Sequence, residues 1–198
     1  MLRGHRELYE RTWHLFSHAR EITCAANDVR TWASHNQSPP PHGKGVKIRK
    51  LYRPGLLLDP TGAQHARFVA SNGAKVRITT DELNETIIVD RRVAILAGDG
   101  SFSVVWIPAV VQGVHALFDA AWRVSTDLAD YERDFGDLCE LAPRILELLG
   151  SGAKDETAAR SMGLSLRTYR RRVADLMTTL GASSRFQAGA RAREFGLI

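Results

Sequence analysis

Apolar and polar residues recur with two different periods along this chain, and the change of period divides it. Over residues 6–20, Leu8, Trp13 and Phe16 return near one side at helical spacing, which predicts a helix. The run EITCAA is short and apolar, as a buried strand is. VKIRKLY alternates Val46, Ile48 and Leu51/Tyr52 with basic residues and reads as a strand. DPTGAQHARFVASNG predicts a helix ending at Gly73, and AKVRIT a strand after it. TIIVDRRVAILAG predicts two strands joined by a tight turn at Asp90-Arg91-Arg92. SFSVVWI is a further strand, and Pro108 opens a helix that runs to about Ser125. Three consecutive prolines in SHNQSPPPHGKG, residues 34–45, predict a loop. The order αβ-βαβ-βββ-α predicts an α/β domain over residues 1–130.

The texture then changes. STDLADYERDFGD is polar and acidic, and residues 131–137 are expected to be a linker. No strand-like segment follows, so residues 138–198 are expected to form an all-α domain. Its four short helices are predicted at about 143–149, 155–162, 166–180 and 184–195. Gly150, Gly152, Gly163 and Gly181 stand where those helices must stop.

Composition narrows this picture only a little. A formal net charge of +5 admits a polyanionic partner without requiring one. The basic residues are mostly arginine, with five lysines. Arginine suits bidentate contact with phosphate and guanine, and a GC-rich genome produces the same bias. Cys24 and Cys139 lie far apart without metal-type spacing, which argues against a disulfide framework and for a reducing cytoplasm. The first residues are charged and have no apolar core of a signal peptide, and no apolar run approaches the roughly 20 residues that span a bilayer. The expectation is a cytoplasmic protein with no membrane partner.

The strongest chemical signal is LSLRTYRRRV, which starts at Leu164. Wound as a helix, Leu166, Tyr169, Val173, Leu176, Met177 and Leu180 share one face. Arg167, Thr168, Arg171 and Asp175 lie opposite, with Arg170 and Arg172 flanking them. Ser165 is placed to cap the helix. Five arginines and no acid occur from Thr157 to Ala174. KDETAARSMG precedes this helix, with two adjacent alanines for close crossing and Gly163 for a sharp turn. This is the layout of a helix-turn-helix, whose second helix enters the major groove by its first turns.

Residues 141–198 resemble the LuxR/GerE-type four-helix DNA-binding domain. The match is carried by Leu141, Arg144, Glu147, Leu149, Glu156, Ala158, Leu164, Ser165, Thr168, Arg170, Leu180, Gly181, Ser184, Arg185, Gln187 and Ala188. The chain departs from the family pattern at Ala142, where a capping Thr or Ser is usual, at Ile145 and at Tyr169. The resemblance implies that Arg167, Thr168 and Arg171 face base edges of double-stranded DNA. Arg170, Arg172 and Arg185 then hold phosphates, with Lys154 as a further candidate. Ser165 and Ser184 lie at the same surface, and the Tyr169 hydroxyl is expected to reach the DNA backbone. Asp175, one turn beyond Arg171, is expected to orient it or to sit just past the groove. The family also implies a homodimer whose contact on DNA is the last helix, through Phe186, Gly189, Ala190 and Arg193.

The α/β domain is similar to the phospholipase D-like domain found beside such modules in actinobacterial regulators, through GVKIRKLYRP and HARFVASNGAKVRITTDELNETIIVDRRVAILAG. That superfamily uses an H-x-K-x4-D motif. Alignment on Asp90 puts Leu83 at the His position and Glu85 at the Lys position. Leucine forms no phosphohistidine and glutamate repels a phosphodiester, so the motif is degenerate. Asp90 is expected to be structural, capping its own backbone. His14 and His18 have a metal-compatible spacing but no third ligand, and the basic GKGVKIRKLYR reads as the outward face of an edge strand, with a second nucleic-acid or anion patch as the alternative.

The reading is therefore an α/β, degenerate phospholipase D-like sensor or dimerisation domain followed by an all-α LuxR-type DNA-binding domain. The protein is expected to be a non-enzymatic transcriptional regulator, dimeric, without catalytic, metal or cofactor residues. A small-molecule or protein effector on the first domain is allowed. The open sheet edge, at Val46–Tyr52 or Ser101–Ile107, is expected to be covered or paired in a dimer. The rival readings are a phosphodiesterase or nuclease with a DNA-binding tail, and a tail that pairs with another regulator.

Overall fold

A computed structural model describes residues 2–26, 45–81, 84–98, 101–194 and 197–198. The proline-rich loop and Leu83 thus lie outside the described residues, apart from Gly45. The chain divides into two compact units, Met1–Arg53 with Gln64–Asp127, and Pro54–Ala63 with Leu128–Ile198.

The first unit is an α/β fold. Its strands are β1 (Leu2–Arg3), β2 (Glu21–Ala26), β3 (Lys47–Tyr52), β4 (Lys75–Ile78), β5 (Thr86–Val89), β6 (Val93–Gly98), β7 (Ser101–Val105) and β8 (Thr126–Asp127). Its helices are α1 (Gly4–Ser17), α2 (Pro60–Ser71, whose first residues belong to the second unit) and α3 (Pro108–Val124). The strands form one mixed sheet in the order β1-β7-β6-β5-β2-β3-β4-β8. β2, β3 and β4 are parallel and the other pairings are antiparallel. Because side chains alternate across a strand, the two faces make two cores. Ile87, Val89 and Ile95 pack with Leu8, Phe16 and Ala19 on the α1 side. Ile88 and Ala94 pack with Val111, Phe118 and Ala121 on the α3 side.

Two expectations about this sheet are corrected. Neither Val46–Tyr52 nor Ser101–Ile107 is an open edge: β3 lies between β2 and β4, and β7 between β6 and β1. The edges are the two-residue strands β1 and β8, too short to offer a long template for pairing. Of the basic residues of β3, Lys47 is exposed, while Arg49 and Lys50 are half-buried against neighbours. The Arg49 side chain is only 20% exposed; its Nη1 donates to Asp119 at 2.8 Å, and its guanidinium lies 5.2 Å from the Phe118 ring centroid. Asp90 does not cap its own backbone either. It sits with Arg91 at positive φ in the β5–β6 turn, and its Oδ1 accepts the backbone N–H groups of Arg20 and Glu21, both at 2.8 Å. Its carboxylate pins the start of β2 to that turn.

The second unit is helical: α4 (Leu128–Gly150), α5 (Asp155–Ser161), α6 (Leu166–Thr179) and α7 (Arg185–Glu194), with a 3-10 turn at Pro54–Leu58. Residues 131–137 are not a linker. They belong to α4, because Leu128, Tyr131, Leu138, Ala142 and Ile145 continue one buried stripe at helical spacing through the acidic stretch. The same continuity removes the consequence expected of Ala142. No helix starts there, so no cap is lost, and Ala142 lies 1% exposed in the core. That core joins Leu138, Ile145, Leu146, Ala158, Tyr169, Val173, Leu176, Ala188 and Ala192. Among the described residues no helix is long and apolar enough to cross a membrane.

Candidate nucleic-acid interface

α5 and α6 are joined by four residues, and each has a local reason. Ala158 and Ala159 are buried at 0% and 3%, so α5 offers α6 a face without bulk. Gly163 adopts φ +65, a conformation cheap only without a side chain. Its N–H donates to Arg160 O, and Leu164 N donates to Ala159 O at 2.9 Å, which closes the end of α5. Ser165 then caps α6: its Oγ accepts Thr168 N at 3.1 Å and lies 2.8 Å from Thr168 Oγ1. Turn and cap together fix where the first turn of α6 points.

On the first two turns of α6 Arg167 and Arg171 are exposed, one helical turn apart, and neither makes an ion pair among the described residues. Thr168 is half-buried, its hydroxyl engaged with Ser165. Asp175 is half-buried and forms no ion pair with Arg171; its backbone carbonyl accepts the Thr179 hydroxyl at 2.9 Å. Lys154 is exposed immediately before α5.

The arginines assigned to phosphates are differently placed. Asp155, 12% exposed at the first residue of α5, accepts Arg185 Nη1 at 2.7 Å, Arg185 Nη2 at 3.0 Å and Arg170 Nε at 2.9 Å. One carboxylate thus ties α5, α6 and α7 together. Arg170 and Arg185 remain 57% and 48% exposed, so each keeps an open side. Arg172 is a correction. It turns toward α4, is 18% exposed, and donates to Asp137 at 3.2 Å, so it is not presented as a phosphate contact. Tyr169 is the larger correction. It is 1% exposed, packed in the helical core, and does not reach the surface. Position 169 belongs to the apolar stripe, and the stripe decides its direction.

Asp155 is the organising residue that sequence reasoning missed. Its acidic position at a helix start is a visible signal, but nothing local connects residues 155, 170 and 185. The hydrogen bonds from Arg185, with those from Arg170, hold its carboxyl down at about 2. A depressed carboxylate contributes stability above its unfolded value near 4 and loses it as pH falls through about 2. Water at the two half-exposed guanidinium groups limits the gain to about 1 kcal/mol. Replacing Asp155 by Asn is expected to lower unfolding free energy by that amount at neutral pH, with the difference vanishing between pH ~4 and ~2. Urea titrations of both proteins across that range measure it.

α7 begins with a reciprocal cap. Ser184 Oγ accepts Gln187 N at 3.1 Å, and Gln187 Oε1 accepts Ser183 N at 2.7 Å. Ser184 is exposed, with its hydroxyl engaged in this cap. Ala188 and Ala192 face the core. Phe186 stands 89% exposed on the other side with Ala190 and Arg193, and Gly189 is half-buried.

In the first unit Glu85 is described, and its carbonyl accepts Ala97 N at 3.0 Å. Asp90 is engaged as above. His18 Nδ1 lies 3.0 Å from Ser17 Oγ, and His14 is exposed.

No protein-family model matches the chain. Among solved structures it is similar to TrmBL2, an archaeal chromatin protein, with a TM-score of 0.48 and 15% identity over 64% of this chain and 52% of that one. It is also similar to NucT from Helicobacter pylori, with a TM-score of 0.43 and 11% identity over 63% of this chain and 92% of that one. Among curated proteins it is 35% identical over 161 residues to the Bialaphos biosynthetic pathway regulatory protein of Streptomyces hygroscopicus. That similarity covers 78% of this chain and 63% of the length of the Streptomyces protein.

Proposed function

We propose that the chain is a sequence-specific DNA-binding transcriptional regulator whose α6 enters the major groove by its first turns. The observation that carries this reading is the pair Arg167 and Arg171, exposed one turn apart and free of ion pairs among the described residues, on a helix whose start is set by the Ser165 cap. Guanidinium groups so displayed match guanine edges, and Thr168 lies beside them. The open sides of Arg170 and Arg185, with Lys154, supply phosphate contacts. The similarity to a regulatory protein supports the regulatory half of the reading.

In this reading residues 138–198 are a LuxR-type domain, and the outer face of α7, with Phe186, Gly189, Ala190 and Arg193, adds a contact between two copies on DNA. The α/β unit is a phospholipase D-like relic that dimerises or receives an effector, and no catalysis is assigned to it. Its Asp90 is spent on the backbone of Arg20 and Glu21, and Glu85 occupies the position where phosphate chemistry needs a cation.

Selection of full-chain protein against random duplexes, followed by footprinting, tests the function. The expected product is an inverted repeat with half-sites about one helical turn apart, or a multiple of it. Retention of DNA with no enriched sequence overturns sequence-specific recognition.

A further inference from the structure

α3 has a buried side and an exposed side, and the exposed side is the anomaly. Of its ten exposed residues only Gln112 and Arg123 are polar. Val110, Leu117 and Val124 are 41%, 68% and 74% exposed, and Trp106 just before the helix is 59% exposed. A solvated helix face over this length carries charge, and a contiguous apolar stripe marks an interaction site.

The stripe has the spacing of a helix–helix seam. Val110, Gly113, Leu117, Ala120 and Val124 follow one another at intervals of 3, 4, 3 and 4. By residue size it reads large, small, large, small, large from either end, with Leu117 at the centre. We infer that α3 is the interface of a homodimer in which two copies of this helix pack antiparallel about a two-fold axis at Leu117. That axis sets Val110 against the partner's Val124 and Leu117 against its own copy, and brings Gly113 within one position of the partner's Ala120. A two-fold interface is self-complementary by necessity, and the large positions of this stripe are. The inference deepens the dimeric part of the proposed function and does not need its DNA-binding part.

Two further observations fit a second helix as the occupant. A side-chain carbon added at Gly113 would meet nothing within 4 Å, so the chain's own packing does not require glycine there. Glycine inside a helix is destabilising, and close approach of a partner helix gives it a use. Arg123 stands at one end of the stripe. Antiparallel packing puts the two copies of it at opposite ends of the seam, whereas parallel packing sets them side by side. The stripe is also held at a fixed angle. Arg49 binds Asp119 and stacks on Phe118, and Arg77 Nη1 donates to Trp122 O at 2.8 Å, fastening the inner side of α3 to the sheet.

Sedimentation of the full chain without DNA tests the dimer. The wild type should sediment at twice the chain mass at micromolar concentration, and Leu117→Glu, which sets two carboxylates face to face, at once the chain mass with its circular dichroism unchanged. A monomeric wild type, or a Leu117→Glu protein still dimeric, overturns the inference. Cross-linking in a Cys139→Ser background reads the arrangement without relying on that variant. Leu117→Cys should link to itself, and Val110→Cys should link to Val124→Cys when the two are mixed. Val110→Cys linking to itself instead overturns the antiparallel seam. Loss of DNA binding with these results intact would fail the proposed function and leave this inference standing.

Discussion

Replacing Arg171 by alanine should weaken binding to the selected DNA site by about 1–3 kcal/mol, roughly 5- to 150-fold in Kd, and leave stability unchanged. The size follows from the bidentate recognition proposed for it: in that reading the guanidinium makes two hydrogen bonds to a guanine edge, and alanine makes none. Stability is untouched because Arg171 is exposed and makes no ion pair among the described residues. Arg167→Ala should behave alike. The ratio of specific to random duplex binding should fall in both variants, measured by anisotropy at one fixed salt concentration. Arg170→Ala, on the contrary, should weaken both duplexes together and also release part of the Asp155 clamp. An Arg171→Ala protein that stays folded and binds its site undiminished takes α6 out of the groove.

Tyr169→Ala should cost about 3–5 kcal/mol of folding free energy, the largest single effect expected in the helical unit. Tyr169 is 1% exposed among Val173, Leu176, Ala158 and Ala188. Removing its ring leaves a cavity where α5, α6 and α7 converge. Against a total stability of about 5–15 kcal/mol for an ordinary domain, that loss is large. Urea unfolding followed by circular dichroism measures it, and Tyr169→Phe should retain most of the stability because the ring volume is kept. The two substitutions separate recognition from folding: Arg171→Ala weakens DNA binding with stability intact, and Tyr169→Ala lowers stability. A Tyr169→Ala protein as stable as the wild type would place the ring outside the core.

Tyr169 also shows periodicity prevailing over side-chain chemistry. Its spacing with Val173 and Leu176 assigned it to the apolar face, while its hydroxyl was expected to reach the DNA backbone. Burial followed the spacing. The same logic explains α4: the acidic stretch 131–137 looked like a linker by composition, yet Tyr131 and Leu138 kept a helical period across it. Arg172 is the intermediate case, since its position at the flank of the stripe left its direction to whichever helix lay beside it, and that helix is α4.

Features that depend on neighbours a few residues away were legible in the chain. That covers the helices α1, α2, α3, α5, α6 and α7 within a few residues, the six longer strands, the Gly163 turn and the Ser165 cap, because hydrogen-bond period, glycine conformation and side-chain capping act over one to four residues. Features that depend on distant residues meeting came from packing. It placed β3 inside the sheet rather than at its edge, spent Asp90 on Arg20 and Glu21, gathered Arg170 and Arg185 on Asp155, and left one side of α3 apolar and exposed. Residues 155, 170 and 185, like 49 and 119, are brought together by strand order and helix packing, and no local period in the chain encodes those pairings.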